Sequence, residues 1–376
     1  MYKNETPFGN SISFNNLNAY ISKNKEDYDA NSLIAIGNPI VDIIVNIDKD
    51  IIEKYGLKQG LTIANNDLTQ TFLDELDSRP LVTYAPGGSV MNTLRVCSWC
   101  LNMAPPEIGN FKITMLGAVG NDIYKEKIIN SLKEENIEPL LETKQEKTSR
   151  CCVGVHEKNV YSISDIKASK NLSKEFIEEN FNSILNHDIL LIEGYYLKEN
   201  YEVCKYLSEE FNKEEKLIIL TLSSTLIIQE IADRIKEIGN MSDIIVGNLQ
   251  EIETFSGGKS QVLQETLERT HRMLFPKNRL LITTCGKHGA YCSKYNYKNM
   301  RLDLILQCFP NFIRNEEIVD FNGAGGAFLG GFLANYLKGN KINRIFNCCQ
   351  MGNNAANIIL KNIGCTFPKN YKFNLD

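Results

Sequence analysis

Long apolar runs and an excess of positive charge are both absent from this chain of 376 residues. No apolar run approaches the roughly 20 residues that a membrane-spanning helix needs. The formal net charge of −5 argues against nucleic acid or an anionic membrane surface as the main partner. The first 30 residues are polar and lack the apolar core of a signal peptide. We interpret residues 1–30 as a flexible extension.

Metal-ligand spacing is also lacking. The 4 histidines are scattered, and Cys97 and Cys100 form a C-x-x-C pattern with no second Cys or His pair. Both thiols fall in an apparent amphipathic helix, so we interpret them as core residues. The 11 cysteines are an odd number spread along the chain, which suits a reducing compartment. The sequence therefore predicts a cytoplasmic protein without a zinc site.

Short apolar runs alternate with helical patterns over most of the chain. Strands are predicted at 33–36, 113–116, 189–192, 217–222, 244–246 and 280–283. Helices are predicted to begin near residues 89, 122, 173, 200, 225, 248 and 261. Apolar strands separated by helices are typical of a parallel sheet that is covered on both faces. The pattern predicts a doubly wound α/β core, in which ligands bind beyond the carboxyl ends of the strands.

Two stretches break this rhythm. Val41 to Ile47 and Cys152 to Ile163 show partial alternation, which is typical of a half-exposed antiparallel sheet. We expect them to form a small β-rich lid, inserted around 41–65 and 151–168. Because the chain has no internal repeat or low-complexity linker, one core over 31–376 is favoured over two independent domains.

Two polar turns carry candidate ligand-binding residues. Asn38 and Asp42 follow the first predicted strand and offer an amide and a carboxylate to a polyol or a base edge. Gly87 and Gly88 precede a helix that would present the Asn92 amide, and paired glycines let a ligand approach the backbone closely. The alternative for each is an ordinary turn.

Two further turns follow later strands. Asn248 and Glu251 have the spacing of an ordinary helix cap, with Asn at the N-cap and Glu at N3. Thr284 and Gly286 belong to a glycine turn that is a weak signal by itself.

An anion-binding turn is the most specific signal. Gly323, Ala324 and Gly325 lead into an apolar helix, which aims free backbone N–H groups and a helix N-terminus at an anion. Gly326 follows directly, so the turn has no carboxylate at its end.

Taken in order, these motifs resemble those of the ribokinase-like (pfkB) kinases, in the adenosine kinase branch. The ending Ile363 to Pro368 resembles that branch's Thr-Gly-Cys-Thr-Phe-Pro, and Gly352 to Ala356 resembles its Gly-His-Tyr-Ala-Ala. The resemblance spans 33–373. It implies a ribokinase-like fold with a mainly parallel sheet, flanking helices and a small β-rich lid. The implied reaction, part of purine salvage, transfers the γ-phosphoryl group of ATP, with Mg²⁺, to the adenosine 5′-hydroxyl.

The resemblance also assigns roles to residues. The implied nucleoside contacts are Asn38, Asp42, Gly87, Gly88, Asn92 and Tyr196. The implied ATP contacts are Asn248, Thr284, Gly286, Asn322 and Asn353. Glu251 would organise Mg²⁺ through water, and the amides of Gly323, Ala324 and Gly325 would hold the transferring phosphoryl group.

Departures from the family pattern cluster at the reacting centre. Gly326 stands where the family has its catalytic Asp, and Phe321 where it has Thr. Val160 falls where relatives place a phosphate-reaching lid Arg, and Lys167 interrupts an apolar run that lines the nucleoside pocket. Arg150 is near enough in sequence to leave open whether it replaces the lid Arg.

The missing carboxylate at Gly326 leaves two hypotheses, an impaired kinase-like protein and an active kinase with another base. General base catalysis supplies on the order of 10²–10⁴ in rate, which is about 3–5 kcal/mol of barrier. We therefore expect an adenosine kinase-like phosphotransferase with little or no activity, one that would act through a protein partner if it is a pseudoenzyme. The alternative is an active nucleoside or sugar kinase with a replacement base, such as a water relay or a carboxylate from elsewhere in the chain, which would have to lie near the Gly323 to Gly326 turn.

Overall fold

The computed structural model describes residues 30–57, 60–63, 67–77, 82–102, 111–157, 159–339 and 344–368. Apart from Ala30, the predicted N-terminal extension lies outside the described residues. No helix within the described ranges is long and apolar enough to cross a membrane.

A nine-stranded sheet forms the centre of the molecule. Its strands are β1 (Ser32–Ile36), β5 (Lys112–Gly120), β6 (Glu138–Lys144), β9 (Ile189–Glu193), β10 (Leu217–Thr221), β11 (Ile244–Asn248), β12 (Leu280–Thr284), β13 (Ala290–Asn296) and β14 (Arg301–Cys308). The spatial order is β14-β13-β12-β11-β10-β9-β1-β5-β6. The strands from β12 to β6 are parallel, and β13 and β14 form an antiparallel edge. All six strands predicted from apolar runs are confirmed within the parallel part.

Helices cover both faces of this sheet. They are α3 (Ser89–Asn102), α4 (Ile123–Glu134), α5 (Lys174–Glu179), α6 (Phe181–Leu185), α7 (Gly194–Glu199), α8 (Tyr201–Lys213), α9 (Thr225–Glu230), α10 (Ala232–Met241), α11 (Leu249–Phe255), α12 (Leu263–Arg272), α13 (Ala324–Leu337) and α14 (Arg344–Ile359). Two further helices, α1 (Lys49–Tyr55) and α2 (Asp67–Asp77), pack in a separate core with Ile43 and Val45. Alternate residues of β1 face opposite ways: Leu33 packs in a core with α3, α13 and α14, and Ile34 packs in a core with α8 and α10. The predicted α/β class is confirmed.

A second sheet of five strands, here called the small sheet, contains both stretches predicted for the lid. Its strands are β2 (Ile40–Asn46), β3 (Gly60–Ile63), β4 (Thr83–Gly87), β7 (Ser149–His156) and β8 (Asn159–Asp165), in the order β3-β8-β7-β2-β4. The expectation of a purely antiparallel sheet is wrong, because β2 pairs with β7 and β3 with β8 in parallel. Strands that come from distant parts of the chain are free to run in the same direction. That the small sheet closes as a lid stays a prediction.

The chain reverses its winding at β1, which has β5 on one side and β9 on the other. In doubly wound sheets such a switch point opens a crevice beyond the carboxyl ends of the strands. The turns after β1 and β9 therefore border the expected ligand site.

Candidate functional site

Two turns meet where β1 ends. A side chain at Gly88, whose φ is +100°, would collide with the backbone oxygen of Asn38, and one at Gly87 would collide with the carboxylate of Asp42. Only glycine allows both approaches. The turn after β1 and the Gly87–Gly88 turn thus form one surface, with the Asp42 carboxylate lying against the Gly87 backbone.

Asp42 is a half-buried carboxylate on β2. Burial raises the pKa of Asp42 to about 7, and the nearby Arg95 guanidinium partly opposes that rise. A carboxylate in this environment is a strong acceptor for hydroxyl groups.

Arg95 fixes the side of Asn92 that faces the ligand. Its guanidinium donates to the Asn92 side-chain oxygen at 3.2 Å, to the Pro86 carbonyl at 3.1 Å and to the Cys365 carbonyl at 3.2 Å. A 2.8 Å ion pair with Glu135 holds the buried guanidinium in place. Because the Asn92 oxygen is already engaged, its NH₂ group is the part available to a ligand. Sequence reasoning missed Arg95, although an arginine among apolar helix residues was a visible signal.

Two expected nucleoside contacts are buried. Asn38 is 6% exposed and its side-chain oxygen has no hydrogen-bond partner. Tyr196 is 0% exposed and packs in the core that includes Leu197 and Cys204 on the α8 face of the sheet. The structure therefore does not bring Tyr196 to the ligand side. The neighbouring Tyr195 is half-buried and is the more accessible ring.

The turn predicted to bind an anion leads directly into α13. Gly323 has φ of +82°, and the N-terminus of α13 has no side-chain cap and no acidic residue in its first turn. The buried Asp320 anchors the turn by accepting from the backbone N–H of Asn322 at 2.9 Å and of Gly364 at 3.0 Å. The first-turn amides of α13 are the kind of group that binds an anion.

Gly326 faces the first turn of α3. A Cβ built at Gly326 would lie 3.1 Å from the Thr93 hydroxyl oxygen and 3.4 Å from the Ser89 carbonyl oxygen. The Gly323 to Gly326 turn and the turn that carries Asn92 are therefore in direct contact. We call the space bordered by the first turns of α3 and α13 and by the Asp42 face of the small sheet the cleft.

The expected ATP contacts follow neighbouring strands. Asn248 and Thr284 are Cα partners at the ends of β11 and β12, and Gly286, with φ of +54°, lies in the next turn. Asn322 is half-buried beside the anion-binding turn. Asn353 is buried on α14, where its amide donates to the Cys308 carbonyl at 3.1 Å.

Asn248 and Glu251 form a reciprocal cap at the start of α11. The Glu251 amide donates to the Asn248 oxygen at 2.9 Å, while the Asn248 side-chain NH₂ and backbone N–H donate to the Glu251 carboxylate at 2.6 and 3.0 Å. Burial raises the pKa of Glu251 to about 7. The helix-cap interpretation of this motif is therefore confirmed.

Arg150 and Lys167 form ion pairs with neighbouring acidic residues. Arg150 is 3% exposed and pairs with Asp74 on α2 at 2.9 Å. Asp42 on β2 is the register partner of Cys151 on β7, so the two side chains lie on the same face of the small sheet. Because side chains alternate along a strand, the Arg150 guanidinium points to the opposite face. Arg150 does not take the place of a lid arginine in this structure. Lys167 pairs with Asp165 at 3.2 Å.

Comparisons with known proteins agree on one family. The family model for pfkB carbohydrate kinases matches residues 54–371. Adenosine kinase of Dictyostelium discoideum is 26% identical over 351 residues, which are 89% of this chain and 96% of that protein. Adenosine kinase 2 of Arabidopsis thaliana is 25% identical over 356 residues, 91% of this chain and 97% of that protein.

Solved structures share the fold. Adenosine kinase from Schistosoma mansoni in complex with 2-fluoroadenosine superposes with a TM-score of 0.76 at 24% identity, covering 90% of this chain and 98% of that one. The adenosine kinase of Trypanosoma brucei brucei gives a TM-score of 0.79 at 23% identity, covering 89% of this chain and 99% of that one.

Proposed function

The chain belongs to the pfkB family of carbohydrate kinases, in its adenosine kinase branch, and on that premise we propose that it binds adenosine and ATP in the cleft. The observation that carries this proposal is the direct contact between the α13 anion-binding turn and the turn that carries Asn92. Such a contact would set a nucleoside hydroxyl beside a phosphoryl group.

Each side of the cleft offers suitable chemistry. Asp42 would accept hydrogen bonds from the ribose hydroxyls, and the Asn92 NH₂ group would donate to the nucleoside. The first-turn amides of α13 would hold the transferring phosphoryl group. Asn248, Thr284 and the Gly286 turn would border the ATP.

Magnesium would enter with ATP. Both oxygens of Glu251 are engaged by Asn248, and no group of three or more His, Cys, Asp or Glu in the described ranges has a metal-binding arrangement. This donor set fits an ion held through water and the phosphates better than one ligated directly by protein. When bound, Mg²⁺ would neutralise phosphate charge.

We expect little transfer activity. The family's carboxylate position is Gly326, and Arg150 on β7 pairs with Asp74 on α2. Phosphoryl transfer depends mainly on positioning and electrostatics, so loss of the base slows the reaction without abolishing it in principle. A role as a nucleoside-binding protein with a protein partner follows if the remaining rate is too low to matter in the cell.

Calorimetric titration with adenosine and with an ATP analogue tests the binding proposal, and an AMP-formation assay tests the slow rate. We expect saturable binding of both ligands and a turnover far below the roughly 1–100 s⁻¹ of ordinary kinases. Absence of both binding events would reject the proposal. Turnover in the ordinary range would reject the impairment and favour an active nucleoside kinase, and transfer to simple sugars instead would favour a sugar kinase.

A further inference from the structure

Glu193 is a buried carboxylate with no role so far. It ends β9, directly beside the turn after β1, and is 1% exposed. The Ser89 hydroxyl and the backbone N–H groups of Asn38 and Val90 interact with its carboxylate. Oε2 of Glu193 nevertheless has no hydrogen-bond partner. A buried acceptor that is left open in this way is rare in folded proteins and calls for an explanation.

Ser89 connects this carboxylate to the cleft. Ser89 is exposed and begins α3, and its backbone oxygen lies 3.4 Å from the Cβ position of residue 326. The Ser89 backbone thus lies beside the position where the family's catalytic carboxylate would begin. Its hydroxyl bonds to Glu193 on the side away from solvent.

We propose that Ser89 and Glu193 form a proton relay that takes the place of the carboxylate missing at Gly326. The inference rests on the proposed function, since it needs a nucleoside hydroxyl and a phosphoryl donor in the cleft. Ser89 contacts the acceptor hydroxyl, and Glu193 acts through Ser89.

The relay balances as a general base step. The acceptor oxygen forms a bond to the γ-phosphorus of ATP, and the bond from that phosphorus to the β,γ-bridging oxygen breaks, so ADP leaves with the electron pair. The acceptor proton moves to the Ser89 hydroxyl oxygen as the Ser89 proton moves to the Glu193 carboxylate. Glu193 later releases the proton to solvent.

The environment of Glu193 suits this role. Burial raises the pKa of Glu193 to about 7, which is where a general base works best at neutral pH. A relay through a hydroxyl is less direct than a carboxylate at residue 326, so it agrees with a slow reaction.

Single-turnover AMP formation with excess enzyme tests the relay. Glu193→Gln keeps the size of the side chain and removes the proton acceptor, and Ser89→Ala removes the bridge. We expect each change to lower the rate by about 10²-fold or more. The double variant is expected to be no slower than either single variant, because the two groups act as a unit. Adenosine affinity, measured by calorimetry, should change by less than about 3-fold. Ser208→Ala, a hydroxyl on α8 that bonds to the Cys204 carbonyl at 2.7 Å, is the matched control and should keep the wild-type rate.

A rescue separates proton transfer from structural support. In a Gly326→Asp background the carboxylate acts directly, so Glu193→Gln should then change the rate by less than about 3-fold. The relay is rejected if Glu193→Gln keeps the wild-type rate, or if its loss persists in the Gly326→Asp background. It is also rejected if the wild type forms no AMP while Gly326→Asp does. All three outcomes leave adenosine and ATP binding intact, so they differ from a failure of the proposed function, in which neither ligand binds.

Discussion

The first turn of α3 and the first turn of α13 contact each other at the border of the cleft and differ in the side chains that they carry. The α3 side carries polar side chains that can bind a ligand, because Asp42 lies against Gly87 and Arg95 orients Asn92. The α13 side keeps its uncapped amides and its Asp320 anchor but carries no carboxylate in its first turn. Backbone groups that bind an anion persist as long as the loop folds, whereas a catalytic side chain is lost by one substitution. We therefore expect ligand binding and phosphoryl transfer to be separable in this protein.

Gly326→Asp would restore the side chain that the α13 side lacks and should have the largest effect. We expect AMP formation to rise by about 10²–10⁴-fold. The new Cβ meets the Thr93 hydroxyl at 3.1 Å, so only a side-chain adjustment is needed. Gly325→Asp is the matched control: that position is open, but its charge would oppose the bound phosphoryl group, so no gain is expected. An equal rate for both variants would contradict the assigned position of the base.

Asp42→Asn would remove the strongest acceptor of the α3 side. Hydrogen bonds to charged groups contribute about 1.5–3 kcal/mol, so adenosine affinity should fall by about 10- to 100-fold while ATP affinity stays unchanged. Calorimetric titration of each ligand measures both. Because the pKa of Asp42 is about 7, the wild type should bind adenosine more tightly as the pH rises from about 6 to about 8. A parallel loss of ATP affinity would show that the two sides are not separable.

Glu251→Gln tests the carboxylate nearest to the ATP side through stability rather than binding. The pKa of Glu251 is raised to about 7 in the folded protein, so the folded state retains this proton to higher pH than the unfolded state does. This contribution favours folding below about pH 4.5 and is lost as the pH rises to about 7. The free energy of unfolding of the variant minus that of the wild type should therefore be about 2 kcal/mol larger at pH 8 than at pH 5. Urea unfolding at the two pH values measures it, and an unchanged difference would contradict the raised pKa.

Arg150→Met should have the smallest effect on the cleft. The guanidinium faces Asp74 on α2, so the AMP-formation rate and both affinities should stay within about 3-fold of wild type, although stability falls. A loss of rate beyond about 10-fold without loss of ligand binding would mean that Arg150 reaches the phosphoryl group after all.

The sequence predicted those parts of the fold that depend on local signals. Apolar runs located the parallel strands, and the glycine turn located the anion-binding end of α13. The edge strands β13 and β14 were missed because they mix polar and apolar residues, as partly exposed strands do. Orientation was harder. Whether Arg150 faces the cleft or α2 depends on strand register, and whether Tyr196 or Tyr195 is accessible depends on one residue of rotation along α7. In the sequence, Glu193 is simply the residue that ends an apolar strand. Its contacts with Ser89, Asn38 and Val90 arise only from the packing of the turn after β1 against α3.

The anchoring of the cleft by the segment around Gly364 and Cys365 has a consequence for biosynthesis. Gly364 donates to Asp320 beneath the anion-binding turn, and the Cys365 carbonyl accepts from Arg95 behind Asn92. Both sides of the cleft thus depend on hydrogen bonds from residues that are synthesised more than 40 positions after Asp320. A nascent chain that has already formed its large sheet would still lack a finished site. A ligand that binds in the cleft, as proposed for adenosine, would therefore stabilise the chain only after synthesis has passed Cys365, and would act on the completed molecule and not on its folding intermediates.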